Sequence, residues 1–208
     1  MHQHLRGRLP LVAILRGLEP EQAVEVAEAI VSAGFDILEV PLNSPEPFES
    51  IGAIVAALGE RALVGAGTVL TVAQVDELDA IGARLVVSPN CRPPVIARAA
   101  ERGLVALPGV LTPSEMFAAL DAGASGLKIF PAELFPAVAV KAVKAVLPAA
   151  APVYVVGGIH AGNMREYLAA GATGFGMGGA LFRPGKPVEE IARDAAGLVA
   201  AFRAAQAG

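Results

Sequence analysis

The sequence has no tryptophan, one cysteine and three histidines in 208 residues. Aromatic residues make up 5% of it and charged residues 17%. Each scarcity excludes something. With Cys91 alone, no disulfide can form within the chain, which fits a reducing cytoplasm. His, Cys and Asp show no metal-ligand spacing, so no metal and no other cofactor is expected. The opening stretch MHQHLRGRLP has no apolar signal core, and no run is long enough to cross a bilayer. A cytoplasmic location without a membrane partner is therefore expected. A net charge of −4 and an isoelectric point of about 5.4 give no general attraction to nucleic acid or anionic lipid.

What is present is apolar and small. Hydrophobic residues make up 54% of the chain and the mean hydropathy is +0.57, ample for a large core built from Ala, Val, Leu and Gly. The positive hydropathy is read as a buried sheet and oligomer contacts. Short β-rich runs alternate with helical segments. The runs are LVAIL (11–15), DILEVPL (36–42), ALVGAG (62–67), RLVVSP (84–89), LVALPG (104–109), GLKIFP (126–131), VYVVGG (153–158) and GFGMGG (174–179). The segments between them repeat apolar residues at i, i+3, i+4 and i+7, the helical period. Many close on glycine: Gly34, Gly59, Gly82, Gly103, Gly123 and Gly171. Thr71, Thr112-Pro113 and Glu19-Pro20 mark helix starts.

Eight runs in strict alternation with eight helices predict an α/β chain with a parallel sheet covered on both faces. Equal units favour closure into a (β/α)8 TIM barrel. The open doubly wound alternative lacks its Gly-x-Gly-x-x-Gly turn after LVAIL. The chain reads as one domain, 1–208, with residues 1–9 as an N-terminal cap at the barrel base.

In such a barrel the chemistry sits where the strands end. The runs place Arg16, Glu39, Thr68, Lys128, Gly157-Gly158 and Gly178-Gly179 toward that rim, with Asn43, Asn90 and Pro108. Lys128 stands alone in GLKIFP. Its ordinary reading is a lysine that snorkels out or pairs with a buried acid. Its functional reading is an amine whose charge is disfavoured by burial, so that it attacks a carbonyl. Glu39 in DILEVPL is either the ion-pair partner of Lys128 or Arg16, or a general acid/base beside the lysine. Arg16 is a surface arginine or a fork for a carboxylate or phosphate. Thr68 is a loop cap or a hydroxyl donor to a carboxylate. The two Gly-Gly pairs are tight turns or a phosphate site made of free backbone N–H groups. His160 is read as a helix-start residue and Cys91 as structural.

LVAILRG, ILEVPLNSP, LVGAGTVL, LVVSPN, LKIFPA and VVGGI occur in this order, and the chain from about residue 8 to residue 205 resembles the class I aldolases of 2-keto-3-deoxy-6-phospho-sugar acids. It is most similar to the branch acting on 2-dehydro-3-deoxy-6-phosphogalactonate. The sister branch, acting on the 6-phosphogluconate-derived acid, carries TLRT after the glutamate and TGG at the seventh strand; here the stretches read PLNS and VGG. The resemblance implies a barrel that assembles as a homotrimer and cleaves its phosphorylated substrate to pyruvate and glyceraldehyde 3-phosphate. It implies Lys128 as Schiff-base lysine and Glu39 as acid/base. Arg16 and Thr68 would address the carboxylate end, and Gly157, Gly158, Gly178 and Gly179 the phosphate. Gly179 replaces a serine frequent in the family, a lost donor worth about 1–2 kcal/mol. Val156 replaces the sister branch's threonine beside the sugar C4 hydroxyl. The rivals are the same cleavage of 2-dehydro-3-deoxy-6-phosphogluconate or 4-hydroxy-2-oxoglutarate, an isomerase or epimerase on a phosphate-binding barrel, and a non-catalytic phospho-ligand binder.

Overall fold

The computed structural model describes residues 3–207; Met1 and His2 of the expected cap, and Gly208, lie outside them. The strands are β1 (Leu11–Ile14), β2 (Ile37–Pro41), β3 (Leu63–Gly67), β4 (Leu85–Val87), β5 (Val105–Leu107), β6 (Gly109–Val110), β7 (Leu127–Ile129), β8 (Val153–Val156) and β9 (Gly174–Met177). They form one sheet in the order β5-β4-β3-β2-β1-β9-β8-β7-β6, with every pairing parallel. Its two ends, β5 and β6, follow each other directly in the chain, so the sheet closes on itself as a single-domain barrel of eight units.

The fifth run thus becomes two strands, and Pro108 divides them. Proline has no N–H to give toward β7, the side its carbonyl faces, so one ladder bond is missing there. Its carbonyl still accepts from Lys128 N–H at 2.9 Å, which holds the seam to β7.

Among the described residues eight α-helices wrap the barrel: α1 (Pro20–Ser32), α2 (Pro47–Leu58), α3 (Val72–Ala80), α4 (Pro93–Glu101), α5 (Pro113–Asp121), α6 (Ala137–Lys144), α7 (Met164–Ala169) and α8 (Val188–Gln206). Thr71 and Thr112 close capping boxes with Gln74 and Glu115, which satisfy N–H groups that the first helical turn leaves free. At the far end of α1, Gly34 turns with φ +110° and its N–H bonds Val31 O at 3.0 Å. An L side chain resists that conformation, so glycine ends the helix and Phe35 drops into the core. Gly59 differs from this expectation. It keeps a right-handed φ of −57°, and the reversal after α2 is spread over the Glu60-Arg61 turn instead.

Along each strand, outward residues meet the helices and inward residues fill the barrel. On β9, Phe175 points out and stacks edge-on against Phe202 of α8, with centroids 6.1 Å apart. Val12, Ile37, Leu63 and Leu85 point in, and Leu5 from the turn Gln3–Leu5 joins their cluster. The turn is tied to β2 through Arg8, whose Nε donates to His4 O at 2.9 Å and Nη1 to Asp36 O at 3.2 Å.

Candidate active site

The same alternation aims two charged side chains into the barrel. Register pairs Ile14 with Glu39 and Glu39 with Gly65, and pairs Lys128 with Tyr154. Ile37 and Leu63, two positions away in phase, are interior residues, so Glu39 points inward as well. Glu39 is 2% exposed and Lys128 7%.

Glu39 has room because of glycine. A Cβ on Gly67 would collide with both carboxylate oxygens of Glu39. Glu39 Oε2 is buried without a hydrogen-bond partner. A buried, unpaired carboxylate oxygen is costly, and protonation relieves the cost. Burial accordingly pushes the Glu39 pKa up to about 7, against the attraction of Lys128 and Arg16. Lys128 moves the other way. Burial lowers its pKa below the ordinary lysine value, Glu39 partly restores it, and Arg16 lowers it further. Lys128 Nζ lies 4.7 Å from the centroid of the Phe130 ring, two residues on along the same face. That ring face favours a cation at this point.

Between these groups is a small void lined by Glu39, Lys128, Tyr154, Val156, Ile14 and Gly176 among others. It offers about 10 Å³ to the centre of a water molecule, room for about one water. Glu39, Lys128 and Tyr154 contribute to its walls, although the surface that faces the space is apolar. Tyr154 stays a neutral phenol, its pKa pushed up to about 12 by burial and by Asp36.

Toward the strand ends the void adjoins a cleft of about 300 Å³, with Ile14, Val156 and Gly176 common to both. Arg16, Phe130, Gly157, Gly158, Gly178 and Gly179 line it. Gly157 and Gly158 have φ of +112° and +60°. A Cβ on Gly157 would also collide with Glu133 Oε2, so that turn accepts glycine alone. Among the described residues, the N–H groups of Gly158, Gly179 and Ala180 donate to no backbone or side-chain acceptor. Free amides converging on an open space suit an anion. Arg16 is oriented by Asn43, whose Oδ1 accepts from Nη1 at 2.5 Å, and Gly17 N–H donates to Ser44 Oγ at 2.9 Å.

The residues singled out in the sequence fall into three groups. Glu39, Lys128 and Val156 surround the void. Arg16, Gly157, Gly158, Gly178 and Gly179 line the cleft with Val156. Thr68 lines neither; it is half-buried beside Gly67, in a left-handed conformation with φ +56° that is strained for threonine. Phe130, Tyr154, Gly67 and Gly176 were read only as strand material. A polar Tyr154 inside VYVV and the i+2 spacing of Phe130 from Lys128 were the available signals. No group of three or more His, Cys, Asp or Glu that could hold a metal ion occurs among the described residues.

The chain as a whole is similar to known aldolases. The aldolase family model described as KDPG and KHG aldolase matches residues 2–196. The 2-dehydro-3-deoxy-6-phosphogalactonate aldolase of Escherichia coli strain K12 is 48% identical over 198 residues, 95% of this chain and 97% of that protein. A solved structure described as native KDPGal is 46% identical, with a TM-score of 0.97 over 99% of this chain and all of that one (100%). A KDPG aldolase from Legionella pneumophila, solved with pyruvate captured as a covalent carbinolamine intermediate, is 27% identical; its TM-score is 0.80 over 91% of this chain and 93% of its own.

Proposed function

This chain belongs to the KDPG and KHG aldolase family, and from that premise we propose that it cleaves 2-dehydro-3-deoxy-6-phosphogalactonate to pyruvate and glyceraldehyde 3-phosphate through a Schiff base on Lys128. The enzyme is an aldolase, a lyase. The observation that carries the mechanism is one buried amine and one buried carboxyl inside the barrel, both beside one small void.

Burial holds part of Lys128 as the free amine, and that amine attacks the C2 ketone. Loss of water gives an iminium, stabilised by the Phe130 ring. Glu39, through a bridging water, takes the proton of the C4 hydroxyl. The C3–C4 bond breaks, its electron pair moves into the iminium, and glyceraldehyde 3-phosphate leaves. The enamine that remains takes a proton at C3 from Glu39 and the same water. Hydrolysis then returns Lys128 and releases pyruvate. A carboxyl with a pKa of about 7 accepts and donates at neutral pH with similar ease, as a group used in both directions requires. Arg16 takes the carboxylate end of the substrate; Thr68, which lines neither space, is joined to it on the family resemblance alone; and the amides around Gly157, Gly158, Gly178 and Gly179 take the phosphate. The working unit is one barrel domain, assembled as a cytoplasmic homotrimer. Exposed Leu134 and Val138, 72% and 74% accessible on neighbouring elements, offer apolar surface for such contacts.

The choice between C4 epimers is assigned to Val156, which presents only apolar surface to both spaces. A site built to hydrogen-bond a hydroxyl discriminates more strongly than an apolar wall. The wild type is expected to prefer the galactonate-type acid with modest turnover of the gluconate-type one. Val156→Thr should move the kcat/KM ratio toward the gluconate-type acid by about 1 kcal/mol, roughly fivefold. Coupling released pyruvate to a dehydrogenase compares both epimers. A wild type that favours the gluconate epimer roughly tenfold or more would overturn the substrate assignment and leave the Schiff-base chemistry standing.

A further inference from the structure

The cleft does not end at Gly178 and Gly179. A second lobe of about 250 Å³ shares Ile14, Arg16, Gly178 and Gly179 with it and adds Phe182, Arg183 and Pro184. Its lining holds two guanidinium groups and no carboxylate. One of the two is engaged, since Arg16 Nη1 is held by Asn43. The Arg183 side chain makes no hydrogen bond or ion pair among the described residues. Asp194 feels its charge, but the Oδ2 of Asp194 is bound to Lys186 Nζ at 2.5 Å.

The backbone fixes where Arg183 stands. Gly178 O accepts the N–H groups of Leu181 and Phe182 at 2.8 and 3.0 Å, which folds the segment after β9 into a turn. Phe182 is 5% exposed and anchors the turn from below. On the other side Pro184 rests on Gly17, where an added Cβ would come within 2.7 Å of Pro184 Cγ. The backbone at Arg183 is thus held between a buried ring and a proline seated on the loop that carries Arg16, and its side chain is exposed.

We infer that Arg183 is a specificity-determining residue that binds the phosphate of the substrate, an assignment that rests on the aldolase function proposed above. The free amides of Gly158, Gly179 and Ala180 supply hydrogen bonds but no formal charge. A phosphate dianion on them alone would keep most of its own. An unpaired guanidinium beside the same glycines offers two parallel charge-assisted bonds. Unphosphorylated substrates have nothing for it to hold, so Arg183 separates the two classes.

The test measures condensation of pyruvate with D-glyceraldehyde 3-phosphate and with D-glyceraldehyde, in wild type, Arg183→Ala and Arg183→Lys. The kcat/KM ratio of phosphorylated to unphosphorylated acceptor should fall about 10- to 100-fold in Arg183→Ala, mainly through KM, because the lost bonds are made equally in ground and transition states. Arg183→Lys, which keeps the charge and loses the fork, should fall between the two. A wild type that condenses neither acceptor overturns the aldolase reading and this inference with it. An active wild type whose ratio is unchanged in Arg183→Ala overturns the inference alone. So does a loss that is equal for both acceptors, because that is what damage to the turn would produce.

Discussion

Incubation with pyruvate and borohydride is expected to add a reduced three-carbon adduct to the peptide containing Lys128 and to no other. The reason is the state of the amine. The pKa of Lys128 is lowered, and the main cause is burial. A lysine at its ordinary pKa of about 10.4 is almost wholly protonated at neutral pH and has no lone pair to offer. Lys141 is exposed, and Lys144 is engaged with Ala151 O at 3.0 Å. Neither lies near Glu39. Lys128→Met keeps most of the side chain's volume, so the variant is expected to fold and to lose essentially all cleavage activity. It also removes the positive charge that holds the Glu39 pKa down, so Glu39 should become still harder to ionise. Adduct on Lys141 or Lys144, or cleavage activity retained by a folded Lys128→Met protein, would refute the Schiff-base mechanism.

Lys128 and Glu39 were legible in the sequence because a charge inside an apolar run is expensive and so conspicuous. Which way they point was not. In strands covered on both faces, inward and outward residues are equally apolar, and the period of two disappears from the sequence. Glu39 is flanked by Leu38 and Val40, which face the helices, while Ile37 faces the barrel. Only the register with β1 and β3 separates them. The glycines were legible as helix ends and loop pairs, because those roles are local. Gly67 was not, since its requirement comes from a carboxylate on the neighbouring strand. Pro108 was visible, yet its effect on pairing depends on which neighbour would have received its N–H. Arg183 does not stand at a strand end; it lies five residues beyond Gly178. It reaches the cleft because the chain folds back through the turn at Gly178 and Pro184 lodges on Gly17.

Glu39→Gln should lower turnover by about 10²–10⁴-fold, the typical worth of general acid–base catalysis, while the Lys128 adduct with pyruvate still forms slowly. Glutamine keeps the shape over Gly67 but can neither take the C4 hydroxyl proton nor return one to C3. In the wild type, kcat/KM should rise with pH through about 7 as the carboxyl ionises, and the inflection belongs to the Glu39–Lys128 pair taken together. In Glu39→Gln that inflection should disappear. Stability gives an independent readout. The ordinary pKa of this carboxyl is 4.5 and the folded value is about 7. Between those values the unfolded chain releases the Glu39 proton and the folded chain keeps it. The folded state binds more protons there, so this contribution to stability is complete below pH 4.5 and is lost as pH rises to about 7, by on the order of 3 kcal/mol. Urea midpoints of Glu39→Gln relative to wild type should therefore increase across that window and level off above it. Turnover unchanged by the substitution would reduce Glu39 to an ion-pair partner of Lys128. A stability difference that stays flat from pH 4.5 to about 7 would show that the carboxyl ionises alike in folded and unfolded chains, and the burial that raises its pKa would no longer account for its role as acid and base.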